Sequence, residues 1–141
     1  MRVFYIFSIN DNFYSLYKDT PSSLYNILKQ ISSIMPSDIG YANNIFHQVN
    51  NSIDKNTLDR RIFLDLHQEM PYSKRGETHI YNNLYLDETT TMEIKNNYIK
   101  IKSNKDYAYF LRTLLKFDSN YFVCDFQNHD YFFLSSIKTL V

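Results

Sequence analysis

The sequence predicts an α/β fold, a single mixed β-sheet with helices packed against it as a layered sandwich. Three observations predict it. Two apolar segments, Phe4-Tyr5-Ile6-Phe7 and Tyr121-Phe122-Val123-Cys124, lack the alternation of half-exposed strands and read as strands covered on both faces. Between them lie several stretches whose apolar residues recur at helical spacing. A hairpin pattern interrupts the helices before the final strands. No repeat, low-complexity tail or interdomain linker breaks this order. At 141 residues the chain reads as one α/β protein-binding domain, 1–141, large enough to bury roughly 68–70% of its extended surface without covalent staples.

Val3 to Ile9, rich in aromatic and β-branched residues, is the first strand. Asn10-Asp11-Asn12 ends it, and either Asn10 or Asp11 caps a short helix running to about Lys18. Asp19-Thr20-Pro21 breaks that helix. A second starts at Ser22 or Ser23 with Leu24, Ile27, Leu28 and Ile31 as its stripe. Pro36 with Ser37-Asp38 opens a third, in which Ile39, Ala42, Ile45, Phe46 and Val49 recur on one side. A fourth, more charged helix spans about Lys55 to Leu66, with Leu58, Ile62, Phe63 and Leu66 as its apolar positions.

Met70 to Glu77, containing Pro71 and Gly76, reads as a loop. Thr78 to Tyr81 is a candidate extended segment, and Leu84-Tyr85-Leu86 is an apolar patch without a clear period. Thr89 to Ile94 and Tyr98 to Ile101 form a hairpin around Asn96-Asn97, since asparagine tolerates left-handed backbone angles. Lys95, Lys100 and Lys102 keep that strand pair soluble and discourage edge pairing. Ser103 or Asn104 caps a last helix with the stripe Tyr107, Phe110, Leu111 and Leu114. Asn120 to Phe126 is the second strong strand, Gln127 to Asp130 a turn, and Tyr131 to Leu134 the returning strand.

Composition removes several functional classes. Fifteen basic and fifteen acidic residues balance, which disfavours direct recognition of nucleic acid. The single cysteine, Cys124, has no internal disulfide partner and sits where a buried, inert thiol is expected. Met1-Arg2 leads straight into a strand-like segment with no cleavage region, and no apolar stretch approaches the length of a membrane span. A cytoplasmic protein with no membrane association is expected.

Motifs for catalysis are equally sparse. With only Gly40 and Gly76, neither a phosphate-binding loop nor a dinucleotide fingerprint can be built. His67, Glu69, Glu77 and His79 can be drawn as a metal site around the Pro71–Gly76 loop, although polar residues flanking a surface loop are the simpler reading. Cys124 and His129 are the only thiol–imidazole pair close in sequence, and a mid-strand thiol among aromatic residues is better explained by packing. No metal, no cofactor and no catalytic residue is therefore assigned, and the protein is read as a non-enzyme.

What remains is aromatic surface. Six of the first seventeen residues are aromatic. In the first helix Phe13 and Tyr17 stand four apart and share a side, with Leu16 three beyond Phe13, while Tyr14 points elsewhere. In one reading these side chains complete an aromatic-rich core, with Leu16 and one ring packed inward. In the other, Phe13 and Tyr17 dock a partner beside the polar face of the third helix, where Asn44, His47 and Gln48 supply hydrogen bonds around the rings.

The chain resembles the sporulation inhibitor of replication family of spore-forming Firmicutes. The resemblance rests on Phe4-Tyr5-Ile6-Phe7-Ser8-Ile9 followed by Phe13 and Tyr17 at four-residue spacing. It continues in Met92-Glu93-Ile94 and Tyr98-Ile99-Lys100-Ile101, then from Tyr109-Phe110-Leu111 through Phe122-Val123-Cys124-Asp125-Phe126 to Tyr131, Leu134 and Lys138. Residues 36–90 align loosely. The chain departs from its relatives in having Phe133 and Ser135-Ser136 where a tryptophan and a proline are common.

The resemblance implies a mixed α/β layered fold and a non-enzymatic protein. It implies a partner, the N-terminal domain of the replication initiator protein, bound so as to restrain chromosome replication during sporulation. Phe13 and Tyr17 would be the aromatic contacts, and Gln48, or its neighbours Asn44 or Ile45, the polar contact. An adaptor for another cytoplasmic protein is the alternative, and a small metal- or thiol-dependent enzyme a more distant one.

Overall fold

The computed structural model describes residues 1–34 and 39–140. Seven strands form one sheet: β1 (Arg2–Ser8), β2 (Tyr72–Arg75), β3 (Thr78–Asn83), β4 (Glu88–Ile94), β5 (Ile99–Ser103), β6 (Tyr121–Asp125) and β7 (Asp130–Phe133). Their spatial order is β2-β3-β4-β5-β1-β6-β7. Five helices accompany them: α1 (Asp11–Tyr17), α2 (Pro21–Ile34), α3 (Ile39–Val49), α4 (Lys55–Leu66) and α5 (Tyr109–Leu114). A 3₁₀ segment, Leu134–Leu140, follows β7. The predicted α/β sandwich on one sheet is therefore observed. Within it every strand pairing is antiparallel, so the sheet contains none of the parallel pairs that a mixed sheet would have.

β1 organises both sides of the sheet. It pairs antiparallel with β5 and with β6, and its side chains alternate between two cores, as strand geometry requires. Phe4 and Ile6 face one layer, where they meet Leu58, Ile62 and Leu66 of α4 and Phe110, Leu111 and Leu114 of α5. Phe7 faces the other, joining Leu24, Leu28 and Ile31 of α2 with Ala42, Phe46 and Val49 of α3. All five residues of β6 are buried as well. Both apolar segments are thus covered on two faces, as their lack of alternation predicted.

The two faces are not covered equally. The α4–α5 side carries apolar residues across the sheet, from Phe4 and Val123 to Ile101, Met92 and Tyr81. On the α1–α3 side the apolar cover ends at β1. The outward residues of β4 and β5 there include Glu93 paired opposite Lys100 and Thr91 opposite Lys102, as suits a face open to water. Lys100 and Lys102 lie on this open face. They do not guard an edge, because β4 and β5 lie inside the sheet and the edges are β2 and β7.

Several local expectations change. Met70 to Glu77 is not a loop throughout: Tyr72–Arg75 forms edge strand β2, joined to β3 through Gly76-Glu77. Gly76 has φ +61°, the left-handed angle that tight hairpin turns demand and glycine supplies without steric cost. β2 escaped detection because only Tyr72 of its four residues is buried. The Asn96-Asn97 turn forms, held by hydrogen bonds from Lys95 N to Tyr98 O and from Ile53 N to Asn96 O. Yet neither asparagine takes a left-handed angle; among the described residues the non-glycine ones that do are Asp87 and His129. Leu84-Tyr85-Leu86 is the exposed β3–β4 turn. The expected opening of the third helix at Pro36–Asp38 lies outside the described residues.

The last helix begins later than its local caps predicted. Ser103 ends β5 with its hydroxyl 2.7 Å from Thr90 Oγ1, and the Asn104 side chain bonds Thr89 N and Asp87 O. Tyr107 is exposed. α5 instead starts at Tyr109, whose N–H donates to the Glu88 carboxylate of β4 at 2.9 Å, a negative charge at a helix N-terminus. Phe63 also leaves its predicted inward stripe: it is exposed and stacks on His67 at 5.3 Å.

A buried polar chain joins α4 to the β2–β3 hairpin. His79, fully buried, lies 2.8 Å from Tyr72 Oη through Nδ1 and 2.7 Å from Asp59 Oδ1 through Nε2. Lys55 donates to Asp59 Oδ2 at 2.8 Å. Burial holds the imidazole below its ordinary value of 6.5, against the pull of Asp59. Burial alone would raise the Asp59 carboxyl, but hydrogen bonds from Lys55 and His79 keep it below its ordinary value. Burial pushes the Tyr72 hydroxyl up to about 12.

The depressed imidazole makes stability depend on pH. The unfolded chain takes up the His79 proton more readily, so this contribution is complete above the ordinary value of 6.5 and is lost as pH falls toward the folded value. Urea unfolding at about pH 5.5 should give a lower free energy than at about pH 7.5. His79→Gln should remove much of that difference.

Candidate partner-binding site

The junction between β1 and α1 is held by Asn10. Its side-chain Oδ1 accepts a hydrogen bond from Phe13 N at 2.9 Å, capping α1. Its Nδ2 donates to the carbonyl of Gln48, and its backbone N–H donates to Val49 O at 2.9 Å. These are end carbonyls of α3, which have no partner inside their own helix. One residue therefore starts α1 and ties it to the end of α3. The Ile9–Asn50 bridge and the bond from Asn51 N to Ser8 O extend the tie along β1. Asn120 Nδ2 donates to Asp11 Oδ1 at 2.7 Å, mooring the same helix to the start of β6.

α1 has two turns and buries none of its residues fully. Tyr14 is the ring that faces the sheet, meeting Phe133 of β7 edge-on at 5.1 Å. Phe13 and Tyr17 stack on each other, centroids 5.9 Å apart and planes 26° apart. Both are half-buried against the α2–α3 core. Leu16 is 68% exposed. The reading that packs Leu16 inward is thus not observed: placing Tyr14 against β7 rotates Leu16 to the outside of the helix. Phe13, Leu16 and Tyr17, at positions i, i+3 and i+4, form one ridge.

On α3, Asn44 and Gln48 are exposed and one turn apart, so they share a face. Ile45 is half-buried against the core on the α1–α3 side. His47 is exposed, with its ring edge-on to Phe46. Through Asn10, the first turn of α1 is bonded to the last turn of α3, which carries Gln48. α3 contains no Asp, Glu, Lys or Arg, and its exposed positions include Asn44, His47 and Gln48. Such a face suits a protein partner recognised by rings and neutral hydrogen bonds.

The other groupings drawn from the sequence separate. His67 lies near the carbonyls of Phe63 and Leu64 at the end of α4, whereas His79 is committed to Tyr72 and Asp59. Glu77 lies 3.4 Å from Lys55. Among the described residues no group of three His, Cys, Asp or Glu side chains is placed to hold a metal ion. Cys124 is fully buried on the α1–α3 side, and burial pushes its thiol well up. His129 sits in the β6–β7 turn with its Nδ1 3.4 Å from Tyr25 Oη, so it is directed at α2. Among the described residues no helix is long and apolar enough to cross a membrane.

The sequence model of the family described as "Sporulation inhibitor of replication protein SirA" matches residues 2–138. A comparison with curated proteins finds no match.

The clamp at Asn10 is testable by itself. Asn10→Ala removes the cap and the bond to Gln48 and should destabilise the fold by about 1–2 kcal/mol, read as a lower urea midpoint. Amide exchange at Phe13, which loses its acceptor, should accelerate more than exchange in β6.

Proposed function

The chain belongs to the sporulation inhibitor of replication protein SirA family, and from that membership we propose that it restrains the start of chromosome replication by occupying the N-terminal domain of the replication initiator protein. Membership in the family gives the chain a regulatory, inhibitory role. The partner and the surface are our reading. The ridge of Phe13, Leu16 and Tyr17, beside Asn44 and Gln48 on α3, forms the contact. Inhibition works by occupancy: covering the initiator's interaction domain blocks its self-assembly or its contacts with other initiation factors. The protein acts without catalysis and without touching DNA, in keeping with its neutral net charge.

The observation that carries this reading is the state of α1. A helix with no fully buried residue nevertheless displays a stacked aromatic pair and a leucine that is 68% exposed. Fully buried rings such as Phe4 or Phe122 would cost about 3–5 kcal/mol of stability on truncation. Half-buried rings contribute less to the fold and retain surface for a partner, as interface anchors do.

Calorimetric titration of the host initiator's N-terminal domain into this protein tests the proposal. Wild type should bind with simple one-to-one stoichiometry. Phe13→Ala and Tyr17→Ala should each weaken binding by roughly 2 kcal/mol, about 30-fold, with far-UV circular dichroism unchanged. Leu16→Ala should weaken it with the smallest effect on stability of the three. Leu84→Ala, on the remote β3–β4 turn, should bind as wild type. Full affinity in folded Phe13 and Tyr17 variants would displace the site, and absence of wild-type binding would displace the partner.

A further inference from the structure

The helical layer of α1–α3 ends at β1, and a cavity of about 360 Å³ lies where its cover stops. Five rings line it: Tyr5, Phe7, Phe46, Tyr98 and Phe126. Leu28 and Ile31 of α2 add aliphatic wall. Ser32 and Asn97, with the two phenol hydroxyls, supply the polar groups. No acidic or basic side chain is among the described residues that line it. The rings meet one another edge-on or tilted, at 5.6 Å for Tyr5–Tyr98, 5.7 Å for Tyr5–Phe126 and 6.1 Å for Phe7–Phe46. None of these three pairs is stacked face to face, although Phe126 stacks at 5.7 Å on Tyr25, which is outside the cavity lining. The ring surface turned toward the cavity is what a planar guest would meet.

We propose that this cavity is a binding site for an uncharged, flat aromatic compound, held between the rings with a polar edge turned toward Asn97 and Ser32. Size and lining both select that class. The volume lies within the range of about 300–1,000 Å³ typical of small-molecule sites and well above the roughly 150 Å³ of an apolar hole that admits benzene. A charged guest would leave its hydration for walls that offer no countercharge. Lys100, whose Nζ stands 5.9 Å from the Tyr5 ring centroid, is not among the lining residues and would oppose a cation. The site draws on α2, α3 and the sheet, uses none of Phe13, Leu16 or Tyr17, and stands independently of the proposed partner.

N-phenyl-1-naphthylamine, an uncharged flat fluorophore that brightens in apolar surroundings, is the probe. Wild type should raise its emission saturably with one site per chain, and the probe should raise the melting temperature. Tyr98→Ala, in the half-exposed β4–β5 turn, should weaken binding about tenfold by removing a ring face. Ser32→Trp, at an exposed position on the rim, should abolish binding by filling the space. Circular dichroism controls for folding, and Tyr98→Leu, which keeps apolar bulk at this position, serves if the alanine variant unfolds. The proposal is overturned by the absence of saturable binding to folded wild type, or by wild-type affinity in folded Ser32→Trp and Tyr98 variants.

Discussion

The burial of β1 on both faces is the constraint on which the rest of the molecule depends. Phe4 and Ile6 anchor one core and Phe7 the other, while the backbone of the same strand joins β5 on one side to β6 on the other. A register slip of one residue would exchange its two sets of side chains and disrupt both layers at once. The ends of the strand are secured accordingly. At its start Arg2 donates to Asp125, Asp106 and Asp130 at 2.8–3.1 Å and lies over the Phe4 ring. At its end Ser8 Oγ donates to Asp118, and Ile9 bridges Asn50. The surface proposed for a partner begins at the next residue, Asn10.

Unequal cover of the sheet explains where recognition surfaces can arise. The α4–α5 face is closed by continuous apolar packing, and its buried polar groups are paired: His79 with Tyr72 and Asp59, and Glu88 with Thr90 and the N-terminus of α5. The opposite face is closed only over β1, β6 and β7. Beyond them Lys100, Lys102 and Glu93 meet water, and at the boundary the rings of Tyr5, Tyr98 and Phe126 border the cavity. α1 belongs to this same partial layer. Its Tyr14 ring leans on β7, and Phe13 and Tyr17 are only half-buried against the α2–α3 core.

That placement suits the proposed inhibition by occupancy. Aromatic side chains contribute large contact area at small cost in conformational freedom, and partial burial holds them in position before a partner arrives. The stack of Phe13 on Tyr17, supported by the α2–α3 core, is fixed in this manner. Charge plays little part, because the chain is neutral overall and the described surface of α3 carries no acidic or basic side chain apart from His47.

Features set by neighbours along the chain were legible in the residues alone. β1 and β6 followed from unbroken apolar runs, α4 was bounded at about Lys55 and Leu66, the cap of α1 was narrowed to Asn10 or Asp11 by residue type, and the shared side of Phe13 and Tyr17 followed from helical spacing. Each depends on contacts within about one turn, where local geometry dominates. Other features depend on residues distant in sequence. Whether Tyr14 or Leu16 faces inward is decided by the position of β7 beneath α1. α5 starts at Tyr109 because Glu88 arrives from another strand, and β2 is a strand because β3 pairs with it despite its exposed residues. The second role of Asn10, holding the carbonyl of Gln48, requires α3 to return to the end of β1. Local spacing could place the rings on one helix; only the packed sheet could rotate that helix, bring α3 beside it, and leave Leu16 facing outward.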